Sequence, residues 1–205
     1  MRALSLLALP LVVAACASSP VEEPAYALEL SRGDFEVRTY APTIVAETTV
    51  DGDALGSRFE GFGPLADYIF AKERGGEKIA MTAPVTQAPR EKIAMTAPVT
   101  QQPASRDGWT IGFTMPAGYT METLPPPVSP DVRLTEQPAR TMAVYKFSGV
   151  ATERDMTAAE RVLMQKVAAA GFTPSGAPVF AFYDPPWTPS FMRRNEVMVE
   201  VAPVG

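Results

Sequence analysis

Two stretches of this chain, about a hundred residues apart, run through the same order of elements. From Phe35, "FEVRTYAPTIVAETTV" reads as extended chain broken at Pro42, and it leads into an apolar-periodic segment that starts at Ala54. From Val132, "VRLTEQPARTMAVYKFSGV" is again extended chain, broken at Pro138, and it leads into "TAAERVLMQKVAAAG". β-Branched and aromatic residues suit a pleated, half-buried surface, whereas the segments that follow carry apolar residues at helical spacing. The expected fold is therefore α+β, with two pseudo-symmetric β-β-α-β units forming an antiparallel, barrel-like sheet that carries two helices. The halves share few letters, so the repeat lies in pattern rather than identity.

Within the first unit, Phe35, Val37, Ile44 and Val50 are candidate core positions of two strands. Leu55, Phe59, Phe62, Leu65 and Ile69 recur at helical spacing between Ala54 and Lys72, with Gly63-Pro64 as a kink or a restart. "GWTIGFTMP" alternates Trp109, Ile111 and Phe113 with smaller residues, a further strand. The proline-dense run from Pro116 to Asp131 is a loop. In the second unit, Thr157 and Glu160 have capping-box spacing and Gly171 stops the helix. Two strands follow, joined by an aromatic, proline-rich loop; the last places Val197, Val199 and Val201 on one face and Glu196, Met198 and Glu200 on the other.

Glu77 to Gln87, "EKIAMTAPVTQ", recurs letter for letter from Glu91 to Gln101. The offset is even, so Ile79, Met81, Ala83 and Val85 share strand parity with Ile93, Met95, Ala97 and Val99. A turn near Pro89 would oppose Ile79 to Val99, Met81 to Ala97, Ala83 to Met95 and Val85 to Ile93, large against small in the middle. The alternative is an insertion that lengthens a loop at an existing strand.

The amino terminus is different material. Arg2 precedes a short apolar run, too short to span a bilayer, and Cys16 follows two alanines. Val13-Ala14-Ala15-Cys16 resembles the lipobox of bacterial lipoproteins, which implies cleavage before Cys16 and its acylation. Expected boundaries are a signal peptide over 1–15, a tether over 16–25 and one domain over 26–205. Without Asp at position 17, sorting rules for such lipoproteins imply the periplasmic face of the outer membrane. Loss of Arg2 leaves 17 basic against 23 acidic side chains, a net charge of −6. That balance argues against a nucleic-acid partner. Cys16 is the single cysteine, so no disulfide framework supports the fold.

"EKIAMTAPV", with "FEVRTY" before it, "FTMP" and "KFSGV" in the middle and "RRNEV" near the end, resembles the SOUL haem-binding protein family in order and over about Tyr26 to Val201. The resemblance implies a barrel-like core of two pseudo-symmetric halves and a haem or other tetrapyrrole held in an apolar cleft. Bacterial drug-sensing effector domains share that fold, so the alternative is a general amphiphile- or effector-binding module with no use for haem.

Histidine, the commonest proximal ligand of protein haem, is absent from the chain. Haem or porphyrin would then bind without a histidine ligand, and no other metal is expected. Met81, Met95 and Tyr68 are the remaining candidate ligands, although a Met on an apolar strand face or a Tyr on a helix is more often core packing. Arg193 and Arg194 are the cations to meet propionates, or they pair with Asp184, Glu196 or Glu200 and pin the aromatic loop. Tyr183, Trp187 and Phe191 form a lid on the slot or plug the end of the barrel. With no His and no free Cys there is no Ser-His or Cys-His nucleophile, and catalysis finds little support.

Overall fold

A computed structural model describes residues 22–70, 99–105 and 108–203. The expected signal peptide, Cys16, Met81, Met95 and all of the doubled segment except its last three residues lie outside the described residues. The elements in order are β1 (Tyr26–Arg32), β2 (Phe35–Tyr40), β3 (Thr43–Asp51), α1 (Ala54–Ile69), β4 (Val99–Ser105), β5 (Gly108–Thr114), β6 (Arg133–Gln137), β7 (Arg140–Phe147), α2 (Glu153–Ala169), β8 (Phe172–Phe182), a 3-10 turn (Ser190–Met192) and β9 (Asn195–Pro203).

All nine strands form one sheet in the order β1-β2-β7-β9-β8-β4-β5-β3-β6. Matching β2, β3, α1, β4 and β5 to β6, β7, α2, β8 and β9 maps this order, β1 aside, onto its own reverse. The molecule is thus two related units about a pseudo-twofold axis between β8 and β4. Each unit is β-β-α-β-β, one strand longer than the sequence pattern suggests. The first strand of each unit crosses to the other: β2 pairs with β7, and β6 pairs with β3, all antiparallel. Pro42 and Pro138 stand in these two crossovers, where a missing N–H removes no ladder bond.

One face of the sheet carries the helices. α2 packs Leu163 and Val167 onto Phe35, Val37, Ala143, Phe180, Val197 and Val199. α1 places Leu65, Tyr68 and Ile69 against Ala46, Ile111 and Phe113.

Three local expectations are corrected. The buried stripe of α1 is Ala54, Ser57, Gly61, Leu65 and Tyr68, while Leu55, Phe59 and Phe62 are exposed. Gly61 gives the reason: a Cβ there would lie 2.5 Å from Ile111 Cγ1, so the helix approaches the sheet too closely for large side chains on that turn. α1 also continues through Pro64 as one helix, capped by Asp53, whose carboxylate accepts from the backbone N–H groups of Leu55 and Gly56. α2 begins before Thr157; Thr152 is its cap, in a reciprocal box with Asp155.

At the end of the doubled segment, Val99 lies between Phe113 of β5 and Phe182 of β8. Both of its edges are taken, so the opposed Ile79–Val99 pair of the expected hairpin is not available. Gln101 is fully buried and donates through Nε2 to the Ala54 carbonyl at 2.8 Å, tying β4 to the start of α1.

Candidate functional site

Strand alternation sends every second side chain to the face away from the helices. On β2 these are Glu36, Arg38 and Tyr40; on β7, Met142, Val144 and Lys146; on β9, Glu196 and Met198; on β8, Val179 and Ala181, with Tyr183 just beyond its end. That face is also buried: Met142, Val144, Val179, Ala181 and Met198 form a core cluster with Tyr40 and Tyr183 packed against it. A sheet buried on both faces must satisfy whatever charge it carries there.

Arg38 and Glu196 are each 0% exposed and meet across the intervening strand β7. Arg38 Nη1 donates to Glu196 Oε2 at 2.8 Å and Nη2 to Oε1 at 3.0 Å, while Nε donates to Glu36 at 2.7 Å. Nη1 also donates to the Tyr40 hydroxyl at 2.9 Å. Glu196 accepts further bonds from the Tyr183 hydroxyl at 2.7 Å and from Arg194 Nε and Nη2 at 3.1 and 3.0 Å. Lys146 closes on the other Glu36 oxygen. Such charge-assisted, two-pronged bonds are the form in which a buried guanidinium is tolerated.

Burial acts to raise the Glu196 carboxyl, but Arg38, Tyr183 and Arg194 outweigh it and hold the group below the ordinary carboxylate value. Burial raises Tyr40 and Tyr183, and the charge on Glu196 raises both further, so both phenols stay protonated. The cluster is a fixed ionic floor with neutral hydroxyls, not an acid and base poised to exchange protons. Glu200, which alternates onto the same strand face, is exposed.

Above this floor lies a cavity of about 40 Å3 lined by Tyr40, Thr43, Thr100 and Thr114 from the first unit, by Met142, Tyr183 and Met198 from the second, and by Tyr26 of β1. The amino-terminal segment closes it. Glu22 accepts from the Ala117 backbone N–H at 2.9 Å, Glu23 pairs with Arg194 Nη1 at 2.9 Å, and Glu23, Pro24 and Tyr26 line the cavity wall. Tyr26 also stacks under Arg38, 4.6 Å from ring centre to guanidinium.

The sequence-predicted site residues separate. Arg194 belongs to the cleft: its guanidinium lies 3.7 Å over the Tyr183 ring and pairs with Glu196 and Glu23. Arg193 points into its own loop and donates to the carbonyls of Thr188, at 2.8 Å, and Pro186. Tyr183 lines the cleft, whereas Trp187 and Phe191 are 70% and 78% exposed and neither cover it nor plug it. Tyr68 sits with the α1 core, its hydroxyl donating to Pro125 at 2.8 Å. Sequence reasoning missed Arg38, Glu36, Tyr40, Tyr26 and Glu23. The available signal was a single cation on β2, Arg38, and an acid at the start of β9, Glu196, both inside motifs already singled out.

A family model described as SOUL heme-binding protein matches residues 21–200. The chain belongs to the SOUL heme-binding protein family. No curated protein matches the sequence. Among solved structures, this SOUL protein is similar to the EcmrR C-terminal domain, with TM-score 0.60, 13% identity and coverage of 83% of this chain and 98% of that one. It is also similar to a crystal structure described as a hydrolase from Listeria innocua, with TM-score 0.55, 14% identity and coverage of 85% and 94%. At such identities the likeness is one of fold. It supports the α+β architecture, and the family makes the protein a ligand-binding module.

Proposed function

We propose that the protein is a membrane-anchored binder of a carboxylate-bearing amphiphile of the tetrapyrrole class, taken up in the cleft between its two units. The observation that carries this reading is the Glu23–Arg194 pair at the cavity mouth. Arg194 is half-exposed there, and its outer nitrogen is held by a carboxylate from the amino-terminal segment. A ligand carboxylate has the same chemistry and would replace Glu23, while the aromatic and thioether walls take an apolar ring.

The residues fit such a ring and its carboxylates in kind, but not iron. Tyr40 and Tyr183 are held as neutral phenols, unlike the tyrosinate that ligates ferric haem, and Arg38 occupies Glu196. Among the described lining residues, the Tyr26 hydroxyl and the thioethers of Met142 and Met198 are left on the wall. A cavity of about 40 Å3 is also far below the several hundred Å3 of a pocket for a drug-sized ligand. Binding a macrocycle therefore requires the segment around Glu23 to move aside. The same size favours the second reading, a smaller amphiphile bound with no role for haem.

Titration of the purified protein with haem and with metal-free protoporphyrin tests the proposal. Both rings should bind with micromolar Kd, about −8 kcal/mol, because iron adds little. Glu23→Gln should tighten both and Arg194→Gln should weaken both. Saturable binding of an unrelated amphiphile, with none of either ring even in Glu23→Gln, would remove the tetrapyrrole and leave the second reading.

A further inference from the structure

Among the described residues, the three most exposed large apolar side chains are Phe191, Trp187 and Met192, at 78%, 70% and 63%. All three stand on the single loop between β8 and β9. Their exposure does not come from a slack chain. The loop holds Pro185, Pro186 and Pro189, and Arg193 clamps the carbonyls of Pro186 and Thr188 from within. The Met192 N–H donates to Pro189 at 2.9 Å, the Thr188 N–H to Pro185 at 3.0 Å, and the Gly149 N–H to Ser190 at 2.9 Å. Asp184 accepts from the Arg194 N–H at 2.6 Å at the loop's foot. A loop this thoroughly bonded, with its apolar side chains still turned to water, is preorganised for an apolar surface outside the molecule.

The amino terminus says which surface. Glu23 is paired with Arg194, at the foot of this same loop. Five residues separate Glu22 from Cys16, so the cysteine lies within about 22 Å of Glu22 however the chain runs. If Cys16 is acylated, the bilayer lies within a short tether of the foot of the loop, where Glu23 meets Arg194. We infer that Trp187, Phe191 and Met192 insert into the interface of a zwitterionic phospholipid bilayer as a second anchor beside the lipid on Cys16.

The inference rests on the membrane-anchored reading of Cys16. Trp suits the site because its ring is apolar and its N–H can stay among headgroups. The net charge of −6 disfavours an anionic surface. The acyl chains of a lipoprotein cysteine hold the chain to the bilayer by themselves, and the loop as a second contact fixes the domain's orientation.

The test uses the full mature lipoprotein in vesicles of phosphatidylethanolamine and phosphatidylcholine whose acyl chains are brominated near the headgroup or near the bilayer centre. The tryptophan emission should be quenched, more by the shallow bromines than by the deep ones. Trp187→Phe should abolish that quenching, since Trp109 is packed on Phe180. Phe191→Ser with Met192→Ser should reduce it while the melting temperature holds. Mass spectrometry of the amino-terminal peptide reports Cys16 separately. Absence of quenching overturns the inference: with an acylated Cys16 the anchor survives without the loop, and with an unmodified cysteine both are lost. Quenching in Cys16→Ser would uphold insertion by the loop itself. A Trp187 blue shift that needs protein concentration and no vesicles would overturn it in favour of a second copy of this chain.

Discussion

Arg38 on β2 and Glu196 on β9 form a bidentate pair at 2.8 and 3.0 Å, across a strand that separates them, with neither side chain exposed. Arg38 belongs to the first unit and Glu196 to the second, and β2 has crossed over to reach its partner. Removing one member strands the other in a dry site, so Arg38→Met should cost about 3–5 kcal/mol. Replacing both by apolar residues of similar volume should cost less than the sum of the single losses. Urea denaturation of the two single variants and the double variant measures this coupling.

Stability should hold level across mid-range pH and fall on both sides. Glu196 and Glu36 have folded pKa values below the ordinary 4.5, since their cationic partners outweigh burial. Their stabilisation is therefore whole above about pH 4.5 and is lost as pH drops through the lower folded values. Tyr40 and Tyr183 are shifted upward from 10, by burial first, so their contribution is whole below pH 10 and is lost above it. Unfolding free energy against pH should show both limbs, with the acid limb shallower in Glu196→Gln and the alkaline limb shallower in Tyr183→Phe. Unchanged limbs in these variants would contradict the assignment.

The close approach of α1 to the sheet makes an unusual prediction for a helical glycine. Gly61→Ala ordinarily gains helix propensity, about 1 kcal/mol. Here the new Cβ meets Ile111 Cγ1 at 2.5 Å and Cβ at 2.9 Å, so a net loss of about 1–2 kcal/mol is expected from overpacking. Phe59→Gln, two residues away on the opposite side of the helix and exposed, should change stability by less than about 0.5 kcal/mol. Thermal melts of both distinguish the observed buried stripe from the one suggested by the large apolar residues.

Deletion of residues 77 to 90 removes one copy of the doubled segment and leaves the other running into Val99–Gln101. β4 takes its ladder partners from β5 and β8, so the deletion costs no described strand pairing. The melting temperature should stay within a few degrees of the parent. A loss of cooperative unfolding would show that both copies are needed.

Apart from β1 and the extra strand of each unit, the order of strands and helices, the repeat of that order and the family membership were legible in the chain. They depend on local periodicity, on punctuation by Pro42, Pro138 and Gly171, and on short motifs, which neighbouring residues suffice to set. The sequence also showed the alternation of Glu36, Arg38 and Tyr40, but not that this face would be buried, because a strand carries no sign of what lies over it. That outcome required β2 to leave β3 and join β7, a long-range pairing decided by the packing of both units together. The buried side of α1 was decided in the same way: periodicity marked a stripe of large residues, and the short distance to Ile111 chose the small ones. Arg194 was visible as a cation next to an acid-bearing strand. Its partners, Glu196 from the floor and Glu23 from a segment 171 residues earlier, exist only because the folded chain brings its two ends to one cleft.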